Sequence, residues 1–225
     1  EVAVIRCAGN CDKRPRTNIF NGASSCAVEA ALYAGETSCT FGCLGQGDCV
    51  TVCSFGALSM NPISGLPEVD EDKCTACGAC VKACPKSIIK LRKKGVKGRR
   101  IYVACSSKEK GALARKACSA ACIGCGKCVK TCPFGAISLD NHLAYIDAEL
   151  CKLCRKCVVE CPTGAILEVN FPPRKKEPVT AATPPADRIP ASTTVTVPNN
   201  SGSDTPAVTP HPNTKPQNPS EPTLF

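Results

Sequence analysis

Cysteine is the residue type through which this sequence could do chemistry. The chain has 21 cysteines among 225 residues, and the last of them is Cys161. Many fall in runs spaced C-x2-C-x2-C-x3-C, where neighbours are poorly placed to bridge each other but can converge on one metal centre. A [4Fe–4S] cluster needs one thiolate for each of its four irons. The spacing therefore predicts iron–sulfur clusters.

Disulfides and zinc are the two other uses that cysteine could have here. A disulfide-rich secreted chain usually has an even number of cysteines at irregular spacings, whereas this number is odd and the spacing repeats. Zinc favours separated C-x2-C pairs, often completed by His, and the chain has only His142 and His211. The spacing thus favours clusters over both alternatives.

The composition bounds the class of protein. Trp is absent and aromatic residues make up 4% of the chain, so the apolar core must be small and metal binding is expected to support folding. The formal charge of +9 assumes neutral thiols. Clusters held by thiolates are negative, so we expect no nucleic-acid partner. No apolar run reaches the roughly 18 residues of a membrane-spanning helix, and no signal peptide is visible.

An internal repeat organises the first three-quarters of the chain. Residues 26–55 align without a gap on residues 105–134, and each copy is followed by a second complete run that ends in Cys-Pro. Two modules with two cluster sites each are therefore expected. The alignment pairs Cys26 with Cys105, Cys39 with Cys118, Cys43 with Cys122, Cys49 with Cys128 and Cys53 with Cys132.

The predicted fold class is α+β, with two tandem two-[4Fe–4S] ferredoxin-like modules, short strand and helix insertions, and a disordered tail. The tail is rich in Pro, Thr and Ser and cannot bury enough apolar surface to fold. The expected boundaries are an N-terminal strand and helix segment with extra cysteines at 1–38, module 1 at 39–91, a basic linker with a strand and a helix at 92–121, module 2 at 122–169 and the tail at 170–225.

Local patterns predict the smaller elements. Strands are expected at Val2–Ile5 and Ile101–Val103, helices at Ala27–Tyr33 and Gly111–Ala117, and a helical turn after each Cys-Pro. The basic stretch 92–100 is expected to form a solvated hairpin, with a docking surface for an acidic electron carrier as the alternative.

Three cluster sites follow from one rule. In two-cluster ferredoxins, the three cysteines of a loop share their cluster with the Cys that precedes Pro in the other run. The predicted sites are site 2, on the 74–80 loop, with Cys74, Cys77, Cys80 and Cys53; site 3, on the 122–128 loop, with Cys122, Cys125, Cys128 and Cys161; and site 4, on the 151–157 loop, with Cys151, Cys154, Cys157 and Cys132.

Site 1, on the 43–49 loop, is irregular. The repeat puts Gln46 where the middle ligand should be, and an amide replaces a thiolate poorly. Cys39 is the nearest substitute, so the predicted ligands are Cys39, Cys43, Cys49 and Cys84, for a total of four [4Fe–4S] clusters. A cluster with an open iron, or a [3Fe–4S] centre, is the alternative.

Five cysteines remain outside these sites. Buried free thiols are the simplest interpretation, and a fifth cluster or a metal site made from some of them is the alternative. They are Cys7, Cys11, Cys26, Cys105 and Cys118.

No catalytic constellation accompanies the cysteines. The sequence shows no Ser-His-Asp set, P-loop or dinucleotide-binding fingerprint. It therefore predicts one-electron transfer without a catalytic site on this chain.

Several stretches together resemble the B subunit of Rnf electron-transport complexes. They cover roughly residues 1–170 and include the irregular first run. They are Val4-Ile5-Arg6-Cys7, Cys39-x3-Cys43-Leu44-Gly45-x-Gly47-Asp48-Cys49-x3-Cys53, Val69-Asp70-x2-Lys73-Cys74-Thr75-Ala76-Cys77 and Tyr102-Val103-Ala104-Cys105-Ser106-Ser107-Lys108.

The resemblance implies an electron-transfer subunit of a membrane-bound, ion-translocating oxidoreductase that works between ferredoxin and NAD. It implies ferredoxin or a similar small carrier and the other Rnf subunits as partners, and a peripheral place on the cytoplasmic side of the inner membrane. The family has an N-terminal anchor and a further cysteine-rich domain ahead of this region, so we expect a piece of a longer protein. Ser54 stands where the family has Pro. The alternative function is a soluble polyferredoxin, or the iron–sulfur subunit of a soluble oxidoreductase.

Overall fold

A computed structural model describes residues 1–173 of the chain, so the predicted tail lies almost entirely outside the described residues. The elements are short helices and strands, and this mixture confirms the α+β class. In chain order they are β1 (Val2–Ile5), α1 (Cys26–Leu32), α2 (Asp48–Thr51), β2 (Leu58–Met60), β3 (Pro67–Val69), α3 (Ala79–Ala83), β4 (Ile89–Arg92), β5 (Arg100–Val103), α4 (Gly111–Ala117), α5 (Lys127–Thr131), β6 (Ile137–Asp140), β7 (Leu143–Ile146), α6 (Lys156–Val159) and β8 (Ile166–Val169).

The strands form antiparallel pairs that recur in the two halves. In the first half β1 pairs with β4 and β2 with β3, and in the second β5 pairs with β8 and β6 with β7. The registers correspond as well, since Val2 lies opposite Arg92 and Arg100 lies opposite Val169. The internal repeat of the sequence is therefore a repeat of architecture.

The core is small and built from β-branched residues. Ile88, Ile89, Ile101 and Ile146 are almost fully buried, and apolar side chains pack against the cysteines of each half. A third cluster, in which Val2 of β1 packs with residues of β5, joins the halves. Burial of each such side chain contributes about 1.5–3 kcal/mol, so the strands hold the loops that carry the cysteines.

The helical turns lie before the final cysteine of each run and not after Cys-Pro, so that prediction was wrong. Helix α3 ends at Ala83, and Cys84 already has an extended backbone (ψ 108°). The reason is the following Pro85, whose ring disfavours the α conformation in the residue before it.

The basic stretch 92–100 is not a hairpin, because β4 and β5 pair with β1 and β8 instead. Its two ends are buried. The Arg92 guanidinium donates to the carbonyl oxygens of Ile146 and Ile101 at 2.8 and 2.6 Å, and Arg100 donates to Glu71 at 2.7 Å. These charges are used to join the two halves, which leaves little of the stretch as a free docking surface.

Candidate iron–sulfur sites

All four cysteine loops share one backbone conformation. In each, the residue before the middle ligand position and the residue after it have positive φ. Left-handed backbone turns the chain sharply enough to carry three side chains around one centre, and it is usually reserved for Gly. The pairs are Gly45 and Gly47, Ala76 and Gly78, Gly124 and Gly126, and Leu153 and Arg155.

Site 3 is assembled as the sequence predicts. Cys122, Cys125, Cys128 and Cys161 line a cavity of about 360 Å³ with Val103 and other apolar residues. Burial, reinforced by the neighbouring thiols, raises the pKa of Cys128 to about 11. Four thiols around an apolar cavity form a donor set that fits a cubane, whose irons would stabilise the thiolates that burial disfavours.

Sites 2 and 4 also bring their predicted cysteines together. The Cys80 thiol lies near those of Cys74 and Cys77, and its pKa is raised by burial and then by these neighbours. Cys53 packs in the same apolar cluster and accepts a hydrogen bond from the Ala57 N–H at 3.3 Å. In site 4, burial raises the pKa of Cys157 to about 12, and the neighbouring thiols that add to the shift include Cys151, Cys154 and Cys132.

Site 1 has a different fourth cysteine from the one predicted. A cavity of about 360 Å³ is lined by Cys43, Cys49 and Cys84, and the fourth thiol on its wall is Cys26. Cys39 is not on that wall but lines a separate cavity. Burial raises the pKa of Cys43 to about 12.

Helix α1 brings Cys26 to the 43–49 loop. Ser25 caps the helix, and the Asp48 carboxylate accepts hydrogen bonds from the Cys26 N–H at 2.8 Å and the Ala27 N–H at 3.0 Å. The backbone N–H groups of Asp48, Gln46 and Gly47 in turn interact with the Cys26 thiol, although burial is the larger effect and its pKa is raised overall. The Cys26 sulfur therefore lies at the place that a middle ligand would occupy.

Gln46 fixes the same helix. Its amide nitrogen donates to Glu29 Oε2 at 2.9 Å, and its amide oxygen accepts from the Ser24 hydroxyl at 3.2 Å. Glu29 lies in α1 and is fully buried. The residue that replaces the missing cysteine thus holds the helix that supplies another one.

Sequence reasoning missed Cys26 for a physical reason. Cysteine spacing reports ligands that are close in the chain, whereas Cys26 reaches the loop through contacts of a helix with Asp48 and Gln46. The only available signal was Asp48 itself, an acidic residue able to cap a helix, and it does not indicate which helix.

All 21 cysteines are free. Four of those outside sites 1–4, Cys7, Cys39, Cys105 and Cys118, line one cavity together, and Cys11 is exposed. Within residues 1–173, no three His, Cys, Asp or Glu side chains are gathered around a single metal ion. A cubane places its thiolates on four separate irons, so its ligands surround a cavity and not a point.

Among the helices of residues 1–173, none is long and apolar enough to cross a membrane.

Two families of iron–sulfur domains match the chain. Residues 67–90 match the 4Fe-4S binding domain and residues 121–165 match the 4Fe-4S dicluster domain. The fold and these matches define an iron–sulfur protein with ferredoxin-type [4Fe–4S] domains.

Three relatives, each the B subunit of an oxidoreductase complex, extend the likeness beyond those domains. The chain is 43% identical over 152 residues to that of the Na⁺-translocating ferredoxin:NAD⁺ oxidoreductase complex of Acetobacterium woodii, which is 68% of this chain and 44% of the relative. It is 46% identical over 150 residues to that of the proton-translocating ferredoxin:NAD⁺ oxidoreductase complex of Clostridium ljungdahlii, covering 67% of this chain and 51% of the relative. It is 40% identical over 151 residues to that of the ion-translocating oxidoreductase complex of Methanosarcina acetivorans, covering 67% and 56%.

The resemblance to the B subunit of Rnf complexes is therefore confirmed. The chain spans about half the length of the curated relatives that it matches.

Proposed function

We propose that this chain is the iron–sulfur electron-transfer part of an ion-translocating ferredoxin:NAD⁺ oxidoreductase complex. The observation that carries the proposal is the similarity to three B subunits, together with four loops that share one cluster-binding conformation. In this role the chain exchanges electrons with ferredoxin or a similar carrier and passes them to the other subunits. It sits at the cytoplasmic face of the inner membrane, through partner subunits or an N-terminal anchor, and has no catalytic site of its own.

The proposed ligands keep the sequence prediction for sites 2–4 and change it for site 1. The basis of the change is the cavity on which Cys26, and not Cys39, stands with three loop cysteines. Module boundaries near residues 39–91 and 122–169 remain part of the proposal. The site 1 ligands are Cys26, Cys43, Cys49 and Cys84.

The chain's own contribution is to hold thiolates and exclude water. Bound clusters would supply reversible one-electron chemistry. Apolar walls and backbone N–H groups aimed at sulfur set the potentials at which this occurs, as the Ala57 N–H does at Cys53. Because the buried thiols have raised pKa values, cluster assembly must release protons.

Iron content of the anaerobically reconstituted chain tests the cluster assignment. We expect at least about 16 irons per chain from four cubanes, with EPR signals of interacting reduced clusters. A colourless chain that binds zinc in their place would contradict the assignment.

Electron exchange tests the proposed role. On mixing with reduced ferredoxin under anaerobic conditions, the oxidised chain should lose visible absorbance, because its clusters accept electrons. A chain with full iron content that ferredoxin does not reduce would contradict the role while leaving the clusters intact.

A further inference from the structure

A fifth cysteine-lined cavity lies where the two halves meet. Its walls carry Cys7 and Cys39 from the first half and Cys105 and Cys118 from the second. The cavity has a volume of about 290 Å³, compared with about 360 Å³ at sites 1 and 3. It is therefore of similar size to two of the ferredoxin-type sites and has the same number of thiols.

The four thiols are mutual neighbours. Cys39 lies within electrostatic range of Cys7 and Cys105, and Cys118 within range of Cys7 and Cys39. The Cys105 sulfur accepts a hydrogen bond from the Ser107 N–H at 3.4 Å, as the sulfur of the proposed ligand Cys53 does from its own neighbour. None of the four forms a disulfide.

The cavity has approximate twofold symmetry, and its first pair of cysteines follows equivalent strands. Cys7 comes two residues after β1, and Cys105 two residues after β5. The segments after these strands bond across the axis, because the Ala8 N–H donates to the Ala104 carbonyl at 2.9 Å and the Ser106 hydroxyl donates to the Arg6 carbonyl at 3.0 Å.

The second pair precedes equivalent cluster loops. Cys39 lies four residues before Cys43 of site 1, and Cys118 four residues before Cys122 of site 3. Each is held by the same turn, since the Gly42 N–H donates to the Cys39 carbonyl and the Ala121 N–H donates to the Cys118 carbonyl. A site that draws matching residues from both halves is more than a chance meeting of buried thiols.

The charge around the cavity suits an anionic cluster. Arg6 and Arg14 are on its wall. The Arg6 guanidinium donates to the Cys105 carbonyl at 3.2 Å, and Arg14 donates to the Gly9 carbonyl at 3.2 Å. Two fixed guanidinium groups would offset the negative charge of a cubane with four thiolates.

We propose that Cys7, Cys39, Cys105 and Cys118 bind a fifth [4Fe–4S] cluster, which joins the two modules. With it, 20 of the 21 cysteines are ligands and only the exposed Cys11 is free. Sequence neighbours connect this site to site 1 through Cys39 and to site 3 through Cys118, so its place is between the two modules in the electron path. The site needs the chain to bind clusters, but not the proposed role in an ion-translocating complex.

Iron counting tests the fifth site in the full reconstituted chain. We expect about 20 irons per chain and a loss of about four in the double variant Cys105→Ala/Cys118→Ala, because two remaining thiols cannot hold a cubane. The matched control is Cys11→Ala, which should keep about 20. Mössbauer spectra should show that the double variant loses one cluster's share of the iron and keeps the rest.

Two results would overturn the fifth site: about 16 irons in the unmodified chain, or an unchanged iron content in the double variant. Either result leaves reduction by ferredoxin, and so the proposed function, standing. If the double variant loses much more than four irons through misfolding, Cys7→Ala/Cys39→Ala removes the other half of the site. The unmodified chain's iron count decides the question without any variant. Zinc in the cavity, with about 16 irons elsewhere, would also contradict the proposal.

Discussion

At the scale of single residues, the loss of one ligand and the gain of another are linked in site 1. Gln46 occupies the middle position of a loop whose backbone is the same as in the complete loops, with φ of +86° at both Gly45 and Gly47. It uses its amide to hold α1, and α1 begins with Cys26. The loop has therefore kept its shape, while the thiol comes from a different element.

This compensation predicts a rescue. Cys26→Ala should remove up to four irons, because site 1 is left with three thiols. Adding Gln46→Cys should restore the iron content, since the 43–49 loop already has the conformation that presents a middle ligand. Iron analysis and EPR of the single and double variants provide the measurement.

The matched control for the rescue is Gln46→Cys alone, which should keep full iron because Cys26 is still present. If Cys26→Ala keeps its iron, the original assignment of Cys39 to site 1 is correct and that of Cys26 is not.

At the scale of elements, the unit that repeats four times is a loop with two left-handed residues followed by a helix of four or five residues. Cysteine spacing was enough to predict where these units lie, and hydrophobic patterning was enough to predict β1 and α4 with the bounds that the structure has. The position of the helix within each unit was not predictable from spacing alone, because it depends on how Pro restricts the preceding cysteine.

Arg155 is an exception within the repeated unit. It has φ of +66° where the other three loops have Gly. Its guanidinium donates twice to Glu168 at 2.6 Å and lies over the Phe171 ring, 4.9 Å from the centroid. These contacts offset a left-handed backbone that costs a non-Gly residue about 1–2 kcal/mol.

Substitution at this position should separate the two effects. Arg155→Ala keeps the strained backbone and loses the contacts, so it should destabilise the loaded protein by about 1 kcal/mol more than Arg155→Gly does. Anaerobic thermal unfolding, followed through the visible absorbance of the clusters, gives the order of stability.

Gly126→Ala calibrates that measurement. No atom lies within 4 Å of a Cβ built at Gly126, so only its φ of +71° opposes the substitution. We expect a loss of about 1 kcal/mol. Equal stability of Arg155→Ala and Arg155→Gly, with a clear loss for Gly126→Ala, would show that the backbone at Arg155 is not strained.

At the scale of the whole molecule, the two halves are joined by polar contacts that sequence reasoning assigned elsewhere. The basic stretch 92–100 was interpreted as solvent-facing because its composition is basic, but composition does not report which charges find partners. Arg92 and Arg100 are buried, and their hydrogen bonds cross between strands of different halves. The fifth cavity escaped prediction for the same reason, since its cysteines meet only when the halves are assembled.

Glu71 is the acidic partner of this contact. It accepts a hydrogen bond from Arg100 at 2.7 Å and others from Asn170 at 3.2 Å. The hydrogen bond from Arg100 is the main reason that the pKa of Glu71 is lowered, and it outweighs the opposite effect of burial. A carboxylate with a lowered pKa stabilises the folded state above its unfolded pKa, near 4.3, and this stability is lost as the pH falls through the folded value.

Glu71→Gln should therefore destabilise the assembled halves by about 1–2 kcal/mol at neutral pH, because Arg100 keeps its burial and loses its counter-ion. The difference from the unmodified chain should stay constant as the pH is lowered from about 8 to about 5, and shrink only below about 4.3. Anaerobic urea unfolding at a series of pH values measures it. Glu149→Gln is the control, because its ion pair with Lys93 is more than half exposed on both sides and should contribute at most about 1 kcal/mol. A difference for Glu71→Gln that already shrinks near pH 6, or that is no larger than the control's, would contradict the assignment of Glu71 as the contact that joins the halves.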